Sequence, residues 1–359
     1  MSSATKTIYF LCPYPYGSAP SQRFRYEQYI HLLQNDGYKV EVHSFLDESG
    51  WAVLYQNGKY FAKMITILRC FWKRYLLLFQ LHKADSIFIH REMAQVGPPV
   101  FEFFVAKILN RKFIYDFDDA IWLPNYSEVN ARFHWVKCYW KVKYIIKWAD
   151  QVTVGNEYLA TYAMQFNQNV KVLPTTIDTT NHHNKLVDYQ KEGLINIGWT
   201  GTHTTIYYLN ALIPVLQQLE EKYSFTFTVI SNLNPEINLR SFRFVKWEKE
   251  KEIEDLATFD IGLMPLIDDQ WSKGKCGFKA LQYMSLGIPS VISPVGVNTA
   301  IVQNGINGFL YSTEDELTNV LSRLIEDASL RRQIGTAARL TIEDKYSVDA
   351  NYKIYQSLF

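Results

Sequence analysis

The chain has 359 residues, 48% hydrophobic and 20% charged, enough to bury a large core and long for a single domain. Its 37 basic and 36 acidic residues leave a formal net charge of +1, which excludes a nucleic-acid binder whose affinity comes from bulk positive charge. The sum hides an asymmetry: residues 1–185 hold 21 basic and 15 acidic side chains, a net of +6, and residues 186–359 hold 16 and 21, a net of −5.

Thr7–Leu11 reads as a short apolar strand. The turn-like run Pro13–Ser21 leads into a helix predicted over Gln22–Asn35 from the spacing of Phe24, Tyr29, Leu32 and Leu33; Gly37 ends it, and Lys39–Phe45 is a second strand. The rhythm repeats with strands at Ser86–His90, Lys112–Phe117, Gln151–Val154 and Val170–Leu173, and a helix at Pro98–Leu109. After the polar stretch Thr179–Gly193, the best linker in the chain, it restarts. Strands fall at Leu194–Trp199, Thr226–Ser231, Arg243–Trp247, Ile261–Pro265 and Pro289–Ser293. Helices fall at Thr204–Lys222, Glu250–Thr258, Gly277–Leu286 and Thr299–Val302, then over Glu314–Tyr346 and from Val348. Strands alternating with helices imply parallel sheets covered on both faces. The expected architecture is α/β, with two doubly wound Rossmann-like domains facing across a cleft. The first covers 1–185, with helix 346–359 packing back onto it, and the second covers 186–345.

Four cysteines, Cys12, Cys70, Cys138 and Cys276, lie far apart, so neither a disulfide framework nor a zinc site is expected, and a cytoplasmic setting is. The apolar run Ile8–Cys12 is too short for a signal-peptide core, and Tyr60–Leu81 is interrupted by Lys63, Arg69, Lys73 and Arg74, so no membrane span is expected.

The most informative segment is Lys273–Pro294. Its glycine-containing loop enters a helix near Gly277, where backbone N–H groups and the helix dipole favour an anion, and Lys275 and Lys279 add charge. Gln282 sits one turn inside. The bland alternative is a solvent-facing helix start with ordinary lysines.

Gly277-Phe-Lys-Ala-Leu-Gln-Tyr-Met-Ser-Leu-Gly-Ile-Pro-Ser-Val291, followed by Ser293-Pro-Val-Gly-Val297 and Asn304-Gly-Ile-Asn-Gly-Phe-Leu310, resembles the donor-binding half of family 4 glycosyltransferases, which have the GT-B fold. Ile197-Gly-Trp-Thr-Gly201 is similar to the first strand and phosphate loop of that family's second domain. Asp260-Ile-Gly-Leu-Met-Pro265 resembles the strand before the donor loop, and Leu173-Pro-Thr-Thr-Ile-Asp178 the inter-domain turn. The resemblance implies a retaining transferase that moves a sugar from a nucleotide diphosphate donor, UDP- or GDP-linked, with no metal and no other cofactor. Cations and backbone donors must then neutralise the leaving diphosphate. The donor set it implies is Lys275, Lys279, Gln282, Gly274, Gly277, Thr200, Gly201 and Trp247, with Gln282 on the ribose and the backbone near Trp247 on the base.

The chain departs from the family in two places. The stretch Trp199–Thr205 lacks the usual Arg and Lys, leaving His203 as a possible substitute, and Gly274 and Gln282 stand where two glutamates are common. Asp268 and Asp269 are either replacement hydroxyl acceptors or a solvated turn. In the first domain, Ile89-His-Arg-Glu92 and Tyr115–Trp122 follow apolar strands. Asp118 and Asp119 fall where the family has a sugar-contacting His-Asp pair, so Asp118, Asp119 and His90 are the catalytic candidates. Three carboxylates as close as Asp116, Asp118 and Asp119 are expected to raise at least one pKa; the alternative pairs Asp116 with Arg91. Arg23 and Arg25, near the start of a helix, with Gly17 and Arg91, are candidates for acceptor or phosphate binding; a surface pair with Glu27 is the alternative.

In Arg132–Trp148, Lys137, Lys141, Lys143 and Lys147 gather on one side of a helical projection, and Lys59, Lys63, Arg69, Lys73 and Arg74 group likewise. Such helices suit an anionic membrane surface, although two core helices with solvated basic faces fit as well. The expected partners are a nucleotide-sugar donor and a lipid-linked or glycan-precursor acceptor, at the inner face of the cytoplasmic membrane. The alternatives are an inactive nucleotide-sugar-binding partner protein and a sugar-nucleotide epimerase of the same fold.

Overall fold

The computed structural model describes residues 5–54, 58–124, 134–189 and 193–359. Two compact units divide the chain: Met1–Thr175 with Tyr352–Phe359, and Thr176–Asn351. The sequence placed the change of unit at 185. The parallel bridge Ile177–Ser347 and the Ile177 N–H donated to Tyr346 O instead hold the residues after Thr176 in the second unit.

The first unit is one parallel sheet of β1 (Thr7–Cys12), β2 (Lys39–Ser44), β3 (Ser86–His90), β4 (Ile114–Phe117), β5 (Gln151–Val154) and β6 (Val170–Val172), in the order β2-β1-β3-β4-β5-β6. Parallel pairing forces helical crossovers over both faces, so the inner strands are buried nearly throughout. β1 is buried from Ile8 to Cys12 and β4 along its whole length. Residues from the far end of the chain complete this core: the Tyr355 ring stacks on Tyr29 at 4.1 Å and Phe359 meets Phe10 at 5.8 Å.

The second unit is a parallel sheet of β7 (Ile195–Gly201), β8 (Phe225–Ser231), β9 (Phe242–Lys246), β10 (Ile261–Met264), β11 (Ser290–Ile292) and β12 (Phe309–Leu310), in the order β12-β11-β10-β7-β8-β9. The winding reverses between β7 and β10, so ligands are favoured beyond the C-terminal ends of those two strands. Trp199, Phe227, Leu263 and Leu321 are among the buried core residues.

Several long helices predicted from periodicity are broken. Gln22–Asn35 becomes Pro20–Arg23, a 3-10 turn Glu27–Tyr29 and the helix Ile30–Asn35, because Arg25 and Glu27 turn inward. Pro98–Leu109 becomes Val100–Phe103 continued by a wider turn, Phe104–Ile108. Thr204–Lys222 splits into 3-10 His203–Ala211 and the helix Ile213–Lys222 where Pro214 supplies no N–H. Glu314–Tyr346 is interrupted at Asp327, whose carboxylate caps a new helix at the Leu330 N–H. The basic helix expected over Arg132–Trp148 is α-helical over Lys141–Trp148, with a separate 3-10 turn over 134–137. Cys138 takes a left-handed φ of 51° between them, and Arg132 and Phe133 lie outside the described residues.

A glycine lets β7 lie where it does. A Cβ on Gly198 would sit 2.2 Å from the ring of Phe259, which is fully buried. Gly198→Ala should therefore lower stability by about 1–3 kcal/mol through overpacking, measured as a fall in the urea midpoint with an unchanged m-value.

Candidate functional site

In the second unit the donor candidates gather at the reversal of winding. β7 ends in Thr200 and Gly201, and the Thr200 N–H donates to the Tyr283 hydroxyl at 3.0 Å. Tyr283 belongs to the helix Phe278–Ser285, which follows β10, and its hydroxyl donates in turn to Leu263 O at 3.3 Å. The helix starts from Gly277, whose φ of 68° is left-handed and where a Cβ would fall 2.2 Å from Ile301 Cδ1, so only glycine fits. One residue into the helix, the Lys279 ammonium lies 5.5 Å from the centroid of the Trp199 ring in β7; Lys275 lies 5.3 Å from that of Trp271. Two lysine charges thus stand by aromatic faces beside a helix N-terminus. Gly201 closes β7 against the Trp199 ring, which a Cβ there would meet at 2.3 Å.

Other members of the set are placed differently from expectation. Gln282, read as the ribose ligand, is 2% exposed, and its amide donates to Glu252 Oε1 at 3.4 Å. The Trp247 indole N–H donates to the same oxygen at 3.3 Å. Gln282 therefore backs a carboxylate that sequence reading missed: Glu252 is 30 residues away, opening the helix Glu252–Leu256, and no local motif marks it. Gly274 is buried behind the helix Gln270–Lys273, its N–H donating to Trp271 O. Asp269 caps that helix at the Ser272 N–H, Asp268 pairs with Lys273 at 3.0 Å, and both take the turn role. His203 shares hydrogen bonds with Asn232 through its backbone N–H and Nδ1.

In the first unit the polar residues beyond β3 and β4 form two adjoining networks. Asp116, buried in β4, receives Nε and Nη2 of Arg25, Nδ1 of His90 at 2.8 Å and the Thr153 hydroxyl at 2.7 Å. Arg25 also donates to Leu173 O. The expectation that Arg25 faces a phosphate is therefore corrected: its charge is consumed by Asp116. His90, read as catalytic at the cleft edge, is fully buried, with Nδ1 bonded to Asp116 and Nε2 lacking a hydrogen-bond partner. Arg91, with a left-handed φ of 59°, spans Asp118 and Asp119 at 2.7 and 2.6 Å. It is thus held by carboxylates, and Asp116 pairs with Arg25 in its place. Gly17 donates its N–H to Glu27 at 2.8 Å, and Arg23 ends its short helix beside the Phe24 ring. Asp118 and Asp119 stay partly open, with side chains 12% and 23% exposed.

At Asp116 and Asp118 the shift runs opposite to the expected rise. Burial pushes the Asp116 carboxyl up, but Arg25 and His90 outweigh it and hold the group well below the usual range. Burial likewise opposes Arg91, His90 and Arg25 at Asp118, and the net shift is again downward.

Residues 195–327 match the family described as "Glycosyl transferases group 1". The matched stretch lies within the second unit and marks it as a group 1 glycosyltransferase region. Among solved structures, this glycosyltransferase is similar to one from Rickettsia africae ESF-5 (12% identity, TM-score 0.69, covering 99% of this chain and 98% of that one). It is also similar to sucrose-phosphate synthase from Thermosynechococcus elongatus (13%, 0.69, 99% of both chains). A third is Anabaena HepE in complex with UDP and glucose (16%, 0.64, 98% and 99%). These likenesses support the GT-B fold. No curated protein matches the chain.

A carboxyl whose folded pKa is depressed stabilises the fold above its unfolded pKa and loses that contribution as pH falls towards the folded value. The contribution of Asp116 to this transferase is therefore complete above about pH 4 and declines below it. Asp116→Asn should cost about 3–5 kcal/mol at neutral pH, because Arg25 is left buried without its counter-charge. The gap from wild type should narrow below about pH 4 in urea unfolding followed across pH.

Proposed function

We propose that this glycosyltransferase moves a sugar, with retention of anomeric configuration, from a nucleoside diphosphate donor to a lipid-linked or glycan-precursor acceptor in polysaccharide or glycoconjugate biosynthesis. The enzyme would work from the inner face of the cytoplasmic membrane without a metal ion. In this reading the bond from the anomeric carbon to the diphosphate oxygen breaks, a bond to the acceptor oxygen forms and the acceptor's hydroxyl proton passes to the departing diphosphate, on which negative charge collects as the first bond breaks. Lys275, Lys279 and the backbone at the start of the helix Phe278–Ser285 meet that charge. Glu252, held by Trp247 and Gln282, supplies the acceptor for the ribose hydroxyls, taking over from the glutamate that Gln282 replaces. In the first unit Asp118 and Asp119, fixed by Arg91, accept from sugar hydroxyls and stabilise developing positive charge.

The observation that carries the reading is the Lys279 ammonium set over Trp199 at the reversal of the β7–β10 winding. The binding of UDP and glucose by HepE supports the same class of donor. A thermal-shift series with UDP, GDP, ADP and dTDP sugars tests it: one of them should raise Tm, since a ligand bound to the native state stabilises it. A flat response to all of them would remove the donor assignment.

Two substitutions refine the test. Lys279→Ala should cut kcat/KM roughly ten- to hundredfold, the loss of one charged hydrogen-bond donor, while Tm without ligand stays close to wild type. Glu252→Gln keeps the shape of the side chain and should raise the donor KM roughly tenfold; an unchanged KM would return Glu252 to a structural role.

A further inference from the structure

We propose that three packed helical segments of the first unit, Tyr60–Leu78, Val100–Phe103 with its continuation Phe104–Ile108, and Lys141–Trp148, form a docking surface for an anionic lipid leaflet. An aromatic groove in this surface takes hydrocarbon. Only the purpose of the surface, bringing the enzyme to a lipid-linked acceptor, rests on the function proposed above; the surface is argued from its own residues.

Tyr60–Leu78 carries apolar residues on both sides: Cys70, Leu77 and Leu78 are buried inward, beside one cation. Its inward side buries Arg74, whose guanidinium donates to the carbonyls of Cys12, His43 and Met93 at 2.9–3.0 Å. On its outward side Phe61, Ile65, Leu68, Trp72, Leu76 and Phe79 recur every three or four residues, each between 44% and 71% exposed. A soluble monomer rarely leaves such an apolar row in water. The row continues sideways: Phe71 packs on Phe101 at 5.6 Å, and Phe103 meets Trp148 at 5.6 Å. Between the second and third segments lies a groove of about 270 Å³ walled by proline, valine and aromatic side chains, including Phe104, Trp140 and Tyr144.

Charge selects the occupant. Tyr60–Leu78 and Lys141–Trp148 contain no aspartate or glutamate, and the one carboxylate of the middle segment, Glu102, is 2% exposed and accepts the Met93 N–H. The exposed charges are cations, among them Lys107, Lys143 and Lys147. Arg69 and Lys73 do not belong to this set as the sequence suggested, because both bind Asp47. Aromatic rings with flanking lysines match the boundary between acyl chains and anionic headgroups. A second copy across a twofold axis would set these cations against one another. Among the described residues no helix is long and apolar enough to cross a membrane, so the surface lies on the leaflet.

The test is co-sedimentation of the full chain with vesicles of phosphatidylcholine alone and of phosphatidylcholine mixed with phosphatidylglycerol. The wild type should pellet with the mixed vesicles and much less with the neutral ones. The double variant Leu68→Glu/Trp72→Glu, at two exposed positions, should lose roughly tenfold or more of that partition with circular dichroism and Tm unchanged. Three results would overturn the proposal: wild type that ignores the mixed vesicles, a folded double variant that binds them as wild type does, or a lipid-free dimer that the double variant dissociates, which would assign the face to a second copy. Nucleotide-induced Tm shifts on the same samples separate the two readings. Vesicle binding without any nucleotide response removes the donor assignment and supports this surface, whereas a nucleotide response without vesicle binding does the opposite.

Discussion

Tyr283 threads its side chain past Gly262, where a Cβ would come within 2.5 Å of the ring, and places one hydroxyl between the ends of β7 and β10. Those strands pair only over Ile261–Gly262 with Ile197–Gly198, and beyond that short ladder lies the opening that a doubly wound sheet leaves at its reversal. The hydroxyl closes that weak point by serving Thr200 on one side and Leu263 on the other. Burial raises its pKa, so it stays protonated and keeps both bonds. The helix that carries Tyr283 also carries Lys279, and the position of that cation over Trp199 is inherited from the same anchor.

The first unit uses charge differently. Much of its basic surplus is turned inward against carboxylates and carbonyls: Arg25 on Asp116, Arg91 on Asp118 and Asp119, Lys141 on Glu92, and Arg74 on three backbone oxygens. Pairing in a low-dielectric interior makes these groups sensitive to the loss of one member. It also leaves Lys107, Lys143 and Lys147 exposed on segments that present no outward carboxylate, so the sign of that face is not read from the unit's net charge.

The parallel sheets were legible because inner strands are apolar runs, as in Ile8–Cys12 and Ile261–Met264, and because Gly277, Gly287 and Pro289 bound the helix of the donor segment. The helices were legible in position but not in continuity. Periodicity does not register that Arg25 must leave the helical path to reach Asp116, or that Cys138 turns left-handed. The site was legible where its residues share a local segment, as Gly277 and Lys279 do. It was not where partners come from distant elements: the union of Glu252 with Trp247 and Gln282, and the burial of His90 behind Asp116, depend on tertiary packing that no spacing rule encodes.

The last eight residues, Tyr352–Phe359, complete the unit that the first residues begin. Tyr29 cannot find the ring of Tyr355, nor Phe10 that of Phe359, until translation has passed through the entire second unit. On the ribosome the first unit therefore does not mature ahead of the second. The N-terminal unit has all its strands by Val172 but waits with part of its core exposed while the second unit, whose last strand ends at Leu310, is made, and it needs protection from aggregation until Phe359 emerges.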